Sequence, residues 1–316
     1  MTKLCISHVA DIDGCVSAAL LKRATGAQIS LSNYDRLRRY LSKVDATVDT
    51  LYICDLGFIE GMISEFERIR NFAEIEYIDH HPMSSYWKRK IQDLGVKLHH
   101  STRECSGILT YLRFKDLLPK EAERYATYAA VADYLDGGPI AKKIIGKYEK
   151  SSILLEATLL WNAWAIIGKN YQLMKKTVDQ IATLEYPHRI EGIAAQALEQ
   201  VEKNTQLIEE LKVKAHNNGK WAHIEVTENA GITANLLTDA LDVPVGVSYK
   251  QDKKTGAYQI SARGRAGCKD LGKIVERISK KMNGFGGGHK HASGATIPHD
   301  KISKFLKEFA SALGKS

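Results

Sequence analysis

The sequence predicts an α/β protein in two parts, on three observations. In the first 80 residues short apolar or β-branched runs alternate with helical periodicity, and from about 119 to 214 the pattern is helical almost throughout. Beyond 218, strand-like and helical runs return with a basic bias. Alternating strands and helices imply parallel strands joined by crossovers. The expected division is a parallel-sheet domain over residues 1–190, a helical linker over 191–217 and a smaller α/β domain over 218–316.

Strands are expected at 3–7, 28–31, 50–54 and 74–78, with helices at 14–23, 36–43 and 60–71 between them. Pro139 and Pro187 are the expected breaks in the helical stretch, and 196–214 reads as a connecting helix. His216-Asn217-Asn218-Gly219 ends it as a loop, because Asn and Gly tolerate the left-handed conformation of a helix C-cap. A strand at 221–226, a helix at 233–241, strands at 245–249 and 258–262, and a helix at 271–281 follow. A glycine cluster and a last helix at 302–313 complete the order. Trp161, Trp164 and Ile166 read as core packing, and Ser101-Thr102-Arg103-Glu104 as a capping box opening a helix. His99 and His100 read as surface groups or as supports behind a site.

With 44% hydrophobic and 26% charged residues, disorder is excluded. The nearly apolar stretch 153–167 contains Glu156, Thr158 and Asn162 and is shorter than the roughly 18 to 20 residues of a membrane span. No membrane association is expected. Asp11 interrupts the N-terminus before a signal-peptide apolar region could form, so a cytoplasmic location is expected. Five cysteines, odd in number and without C-x-x-C spacing, suit buried reduced thiols. Residues 218–316 hold 13 Lys and 3 Arg against 9 acidic residues, and so carry +7 of the net +8. That asymmetry fits either a polyanion partner or a solvated lysine-rich surface.

In parallel sheets the functional groups sit at the carboxyl ends of strands. Three of the first four expected strands end in such groups: His8 with Asp11 and Asp13, then Asp55, then Asp79-His80-His81. Mixed His and Asp ligands on a tight turn suit manganese or magnesium better than a closed zinc site, and Gly14 lets the backbone turn closely. Taken alone, His8-x-x-Asp11-x-Asp13 also fits a helix cap beside a surface histidine. Asp55 follows an apolar strand and needs a crevice or a cation, since an unpaired buried charge is costly. His80 and His81 point in opposite directions, which divides ligation and substrate contact between them.

In this order the motifs resemble the DHH phosphoesterases, a superfamily of RecJ-type exonucleases, oligoribonucleases, cyclic-dinucleotide phosphodiesterases and family II pyrophosphatases. Asp79-His80-His81 is the family triplet, and Asp133 in Ala130-Val131-Ala132-Asp133-Tyr134 stands at a fourth acidic position. Gly286-Gly287-Gly288-His289 resembles the GGGH signature of the DHH-associated domain, and Ser261-Ala262-Arg263-Gly264-Arg265 its Ser-x-Arg segment. The resemblance implies two divalent cations, manganese first and magnesium as the alternative. One would be held by His8, Asp11 and Asp55, the other by Asp13, Asp55, His80 and Asp133. Asp79 would orient a ligand, and His81 would contact the phosphate. Gly286, Gly287 and Gly288 would offer amides in an anion-binding nest, with His289, Arg263 and Arg265 gripping substrate phosphate.

The resemblance places the active site in a cleft between the domains and implies hydrolysis of phosphodiesters. No module beyond these two is evident, which favours a compact exonuclease on single-stranded RNA or DNA ends, working 3′ to 5′. A linear or cyclic dinucleotide phosphodiesterase and a silent nucleic-acid-binding scaffold are the alternatives. A pyrophosphatase fits less well, because its C-terminal signature is rich in basic residues instead of GGGH. Expected partners are single-stranded nucleic acid or short oligonucleotides. A homodimer and protein partners in DNA repair or RNA turnover are left open.

Overall fold

The computed structural model describes residues 1–253 and 255–314, apart from the side chain of Asp35; Lys254, Lys315 and Ser316 of the expected C-terminal domain lie outside it. The chain divides into two compact units, Met1–Val201 and Glu202–Ser316. The dividing point falls inside a long helix.

The first unit opens with β1 (Lys3–His8), α1 (Ile12–Thr25), β2 (Gln28–Ser32), α2 (Tyr34–Leu41), β3 (Thr50–Cys54), α3 (Ile63–Ile69), β4 (Glu74–Asp79), α4 (Ser85–Asp93) and β5 (Lys97–His100). The strands form one parallel sheet in the order β2-β1-β3-β4-β5. Side-chain alternation divides this sheet between two cores. Cys5, Tyr52, Cys54 and Ile78 face one; Ile6, Leu51, Ile53, Ile75 and Tyr77 face the other. Burial on both faces is why these strands read as apolar runs without polar alternation.

Helices α5 (Ser106–Phe114), α6 (Ala122–Ala132), α7 (Pro139–Ile145), α8 (Lys150–Ile167) and α9 (Tyr171–Ile181) follow, and with α1 they enclose the first core. Pro139 opens α7, where its missing N–H costs nothing, and Pro187 lies in a short 3-10 turn. No described helix is long and apolar enough to cross a membrane. α10 (Ile193–Lys214) contains the dividing point: Ile193 and Ala197 pack into the first core, Leu211 into that of the second unit.

The second unit runs β6 (His216–Asn217), β7 (Ala222–Glu225), α11 (Ala230–Ala240), β8 (Val245–Gln251), β9 (Tyr258–Gly264), α12 (Leu271–Lys280), β10 (Phe285–Gly288), β11 (Ala292–Ile297) and α13 (Ile302–Leu313). Its mixed sheet has the order β10-β11-β9-β8-β7-β6, with β7 and β8 the parallel pair. Leu271, Ile274, Val275 and Ile278 form the buried face of α12, and Phe305 and Phe309 of α13 are fully buried with them. Full burial of one such side chain contributes about 1.5–3 kcal/mol.

Several expectations change here. The glycine run, for which no element was expected, is edge strand β10, paired antiparallel with β11 through Gly286↔Ala295 and Gly287↔Gly294. The reason is packing, because α12 lies directly on it and a Cβ on Gly272 would come within 2.4 Å of the Gly288 carbonyl oxygen. His216 and Asn217 pair with β7 as a short strand instead of remaining in a loop. Ser101 and Glu104 make no capping box. α5 starts at Ser106, and buried Glu104 instead accepts N–H bonds from Ile140 (2.6 Å) and Ala141 (3.1 Å) in the first turn of α7. Trp164 is core, but Trp161 is 38% exposed. All five cysteines are free and buried.

Candidate metal centre

The site grows from the turns that follow the parallel strands. Asp11 caps α1, one carboxylate oxygen accepting the Gly14 N–H at 3.0 Å. Its other oxygen lies 3.1 Å from His8 Nδ1, so the cap and the cluster use the same side chain. Glycine at position 14 is required, since a Cβ there would lie 2.3 Å from the His8 carbonyl oxygen. Asp13, on the first turn of α1, is fully buried and accepts the Ser106 and Gly107 N–H groups at 2.8 and 2.6 Å. The positive end of α5 therefore points at this carboxylate.

Asp55 follows β3 with φ 57, a left-handed conformation that Asp tolerates better than most residues. That turn aims its carboxylate two ways. Oδ2 is 3.6 Å from His8 Nδ1, and Oδ1 is 3.2 Å from His80 Nε2 and accepts the Ser106 hydroxyl at 3.0 Å. His80 Nε2 also stands 3.6 Å from both Asp13 Oδ2 and Asp133 Oδ2, the latter at the C-cap of α6. His8, Asp11 and Asp55 thus make one group of potential ligands, and Asp13, His80 and Asp133 a second, their donor atoms within 4.8 Å in each group. Asp79 is fully buried and lies 2.8 Å from His81 Nδ1.

The charges do not balance within the cluster. Four carboxylates of the two groups face two imidazoles, and buried Asp55 Oδ2 and Asp133 Oδ2 find no hydrogen-bond partner among the described residues. Burial and the facing Asp55 hold the Asp13 carboxyl well above its usual range, and burial lifts Asp133 to about 7. Burial also opposes charge on Asp55, yet the imidazoles of His8 and His80 take it well below the usual range. Against the burial that would lower them, Asp11 and Asp55 bring His8 to about 10, and Asp55 and Asp133 bring His80 to about 11. Protons are supplying positive charge that a cation would supply by displacing them. The oxygen and imidazole donors, the deficit of positive charge and the orphaned oxygens all fit hard or borderline divalent ions.

Three features of the site were absent from the sequence reading. Tyr34 opens α2 just after β2; its hydroxyl accepts the Gly57 N–H at 3.0 Å and lies 3.2 Å from His81 Nε2. Its ring also meets His8 edge to face at 5.4 Å. The carboxyl end of the second strand was the signal that could have found it. The α5 amides on Asp13 are the second feature. The third is strand β5 itself, which carries His99 and His100, read as surface groups or supports: His100 Nε2 donates to the His81 carbonyl oxygen at 2.7 Å and His99 Nε2 is 3.2 Å from Glu76.

In the second unit, Arg263 pairs in register with Ala292 of β11, one strand away from the turn that carries His289. Its Nη1 donates to the carbonyls of Ala262 and Ser293 at 3.0 and 3.3 Å. The His289 N–H donates to Ala292 O, and the first-turn N–H of Gly272 donates to His289 O. The Arg265 guanidinium lies 2.6 Å from exposed Asp242.

Residues 218–315 match the DHHA1 domain model. An uncharacterised protein of Methanocaldococcus jannaschii is 34% identical over 128 residues, 39% of this chain and 28% of that protein; this chain therefore covers little more than a quarter of that relative. Among solved structures, a DHH domain described as belonging to a family of ribosomal proteins superposes with TM-score 0.78 at 15% identity, covering 99% of this chain and 87% of the other. RecJ of Thermus thermophilus in complex with Mn2+ gives 0.64 at 15% identity, covering 99% and 52%. The pGpG-specific phosphodiesterase PggH of Vibrio cholerae gives 0.56 at 14%, covering 99% of both chains. Residues 218–315 thus match a DHHA1 domain, and along its length the chain shares the fold of the DHH domain and RecJ structures.

Proposed function

We propose that the protein is a metal-dependent phosphodiesterase that removes mononucleotides from single-stranded RNA or DNA, in the 3′ to 5′ direction. One observation carries the reading: the two oxygens of buried Asp55 face two separate groups of His and Asp donors. His8, Asp11 and Asp55 would hold one divalent ion and Asp13, Asp55, His80 and Asp133 the other, manganese first and magnesium as the alternative. Bound there, such ions supply Lewis acidity and charge neutralisation for attack of water on phosphorus.

The chain's own residues do the rest. The α5 amides and Ser106 fix Asp13 and Asp55 so that their remaining lone pairs face inward. Asp79 and Tyr34 hold the two nitrogens of His81, which exchanges its Tyr34 contact for a phosphate oxygen. Arg263, with its planar fork of donors, and His289 with Gly286, Gly287 and Gly288 hold substrate phosphate. The +7 of residues 218–316 supports a polyanionic substrate, with affinity that falls as salt rises. A second reading, a dinucleotide phosphodiesterase, is favoured by the full-length match to PggH in both directions, where RecJ is matched over half its length.

A time course with 5′- and 3′-labelled RNA and DNA, from dinucleotides to long oligomers in manganese, separates these readings. A ladder of shortening 5′-labelled products is expected. Immediate release of a 5′-labelled mononucleotide would reverse the polarity, and cleavage of dinucleotides alone would establish the second reading.

A further inference from the structure

Immediately after Asp133 the chain does something costly. Tyr134 has φ 56, a left-handed conformation that is a genuine outlier for a bulky residue, and its side chain is left 57% exposed. The turn is held by the Tyr134 N–H on Val131 O and the Leu135 N–H on Ala130 O. The ring meets Trp161 of α8 edge to face, with centroids 6.2 Å apart and planes at 82°. Trp161 is itself 38% exposed, while one turn further along α8 the Trp164 indole N–H donates to the carbonyl of Val9, the neighbour of His8, at 3.0 Å. Two chain segments anchored to the two ligand groups, one beside Asp133 and the other beside His8, thus present large aromatic surfaces to water.

Neither the hydrophobic effect nor backbone preference favours that arrangement. Flat, exposed π surface beside a phosphodiester-processing cluster suits a flat π ligand attached to a phosphate. We infer that Tyr134 and Trp161 form a stacking subsite for the nucleobase of the nucleotide whose phosphate enters the carboxylate cluster. The inference rests on the proposed phosphodiesterase reading and adds where the base goes. Because every base has a π face, such a subsite accepts purines and pyrimidines alike and contributes affinity without sequence choice.

The test compares binding of AMP with binding of ribose 5-phosphate, which has the same phosphate and no base, to the full chain in manganese by calorimetry. The wild-type protein should bind AMP at least about tenfold more tightly, the scale of one stacked base. Trp161→Ala and Tyr134→Asn, the latter chosen because Asn tolerates the left-handed backbone, should each erode that ratio, and the double variant should bring it close to one. Trp161→Phe should retain most of it. An AMP preference that survives in the double variant, or a wild-type protein without any preference, overturns the subsite. Dinucleotide hydrolysis measured in parallel separates the two ideas: a preference lost with the rings in a protein without hydrolytic activity would refute the proposed function and leave the subsite standing.

Discussion

Acidic side chains in the first unit are treated in opposite ways. On β4, Glu76 is almost fully buried and completely matched: Arg113 reaches both its oxygens at 2.9 and 3.1 Å, and His99 adds a contact at 3.2 Å. These partners pull its carboxyl down to about 2 against the effect of burial. At the candidate metal centre, Asp11, Asp13, Asp55 and Asp133 outnumber His8 and His80, and two of their oxygens are left without a hydrogen bond among the described residues. A buried acid with its full complement of cations is part of the scaffold. A cluster of wholly and partly buried acids with too few is a place for a cation.

The largest expected break in this comparison is Asp55→Asn. A neutral amide cannot serve two cations, so hydrolysis in manganese should fall by at least about 100-fold while the circular dichroism spectrum is retained. Activity within tenfold of wild type would remove the two-ion reading. Glu76→Gln should do the reverse, leaving activity near wild type and lowering stability by about 1–3 kcal/mol, the cost of a lost charged hydrogen-bond set. Its sign with pH follows from the depressed value. The stabilisation is complete above the unfolded-state pKa near 4.5 and disappears as pH falls through about 2. Denaturant midpoints of Glu76→Gln and wild type should therefore converge on acidification; a gap that persists at pH 2 would show that the ion triad is not its source.

A smaller effect of opposite sign is expected from Asp133→Asn. In metal-free protein it removes one of the like charges and should raise stability by on the order of 1 kcal/mol, while weakening manganese binding. Thermal melts with and without the ion read both effects, and a destabilised metal-free variant would contradict the imbalance of charge. The second unit supplies the finest contrast. Arg263→Ala should weaken substrate binding by about 1.5–3 kcal/mol with manganese affinity unchanged. Arg265, held by exposed Asp242, should contribute within about 0.5 kcal/mol to stability when replaced by Ala, as exposed pairs usually do. Equal losses of substrate affinity at the two positions would place both guanidinium groups on the substrate.

The legibility of the molecule follows the range of the interactions involved. β1 to β4 and the apolar faces of α12 and α13 were readable because periodicity is a local property of the chain. β5 escaped because Lys-Leu-His-His carries no strand alternation, and β10 because glycines have no side chains to pattern. Only the neighbours β4 and β11 make them strands. The capping-box spacing at Ser101 was locally sound, but Glu104 gains more by serving the first turn of α7.

By itself the sequence determined which residues stand at the strand ends. His8, Asp11, Asp13, Asp55 and Asp79-His80-His81 stand at or just beyond the carboxyl ends of β1, β3 and β4, and the residue types of such short segments follow from their own few torsions. The tertiary structure alone decided how these turns meet: that Asp55 faces both His8 and His80, and that α5 directs its first amides at Asp13. It also decided that Tyr34 reaches His81 and that Trp161, outwardly a core residue, stands in water beside Tyr134. Those pairings span 25 to 94 residues of chain. No local preference reports on contacts at that separation, because packing of whole elements sets them.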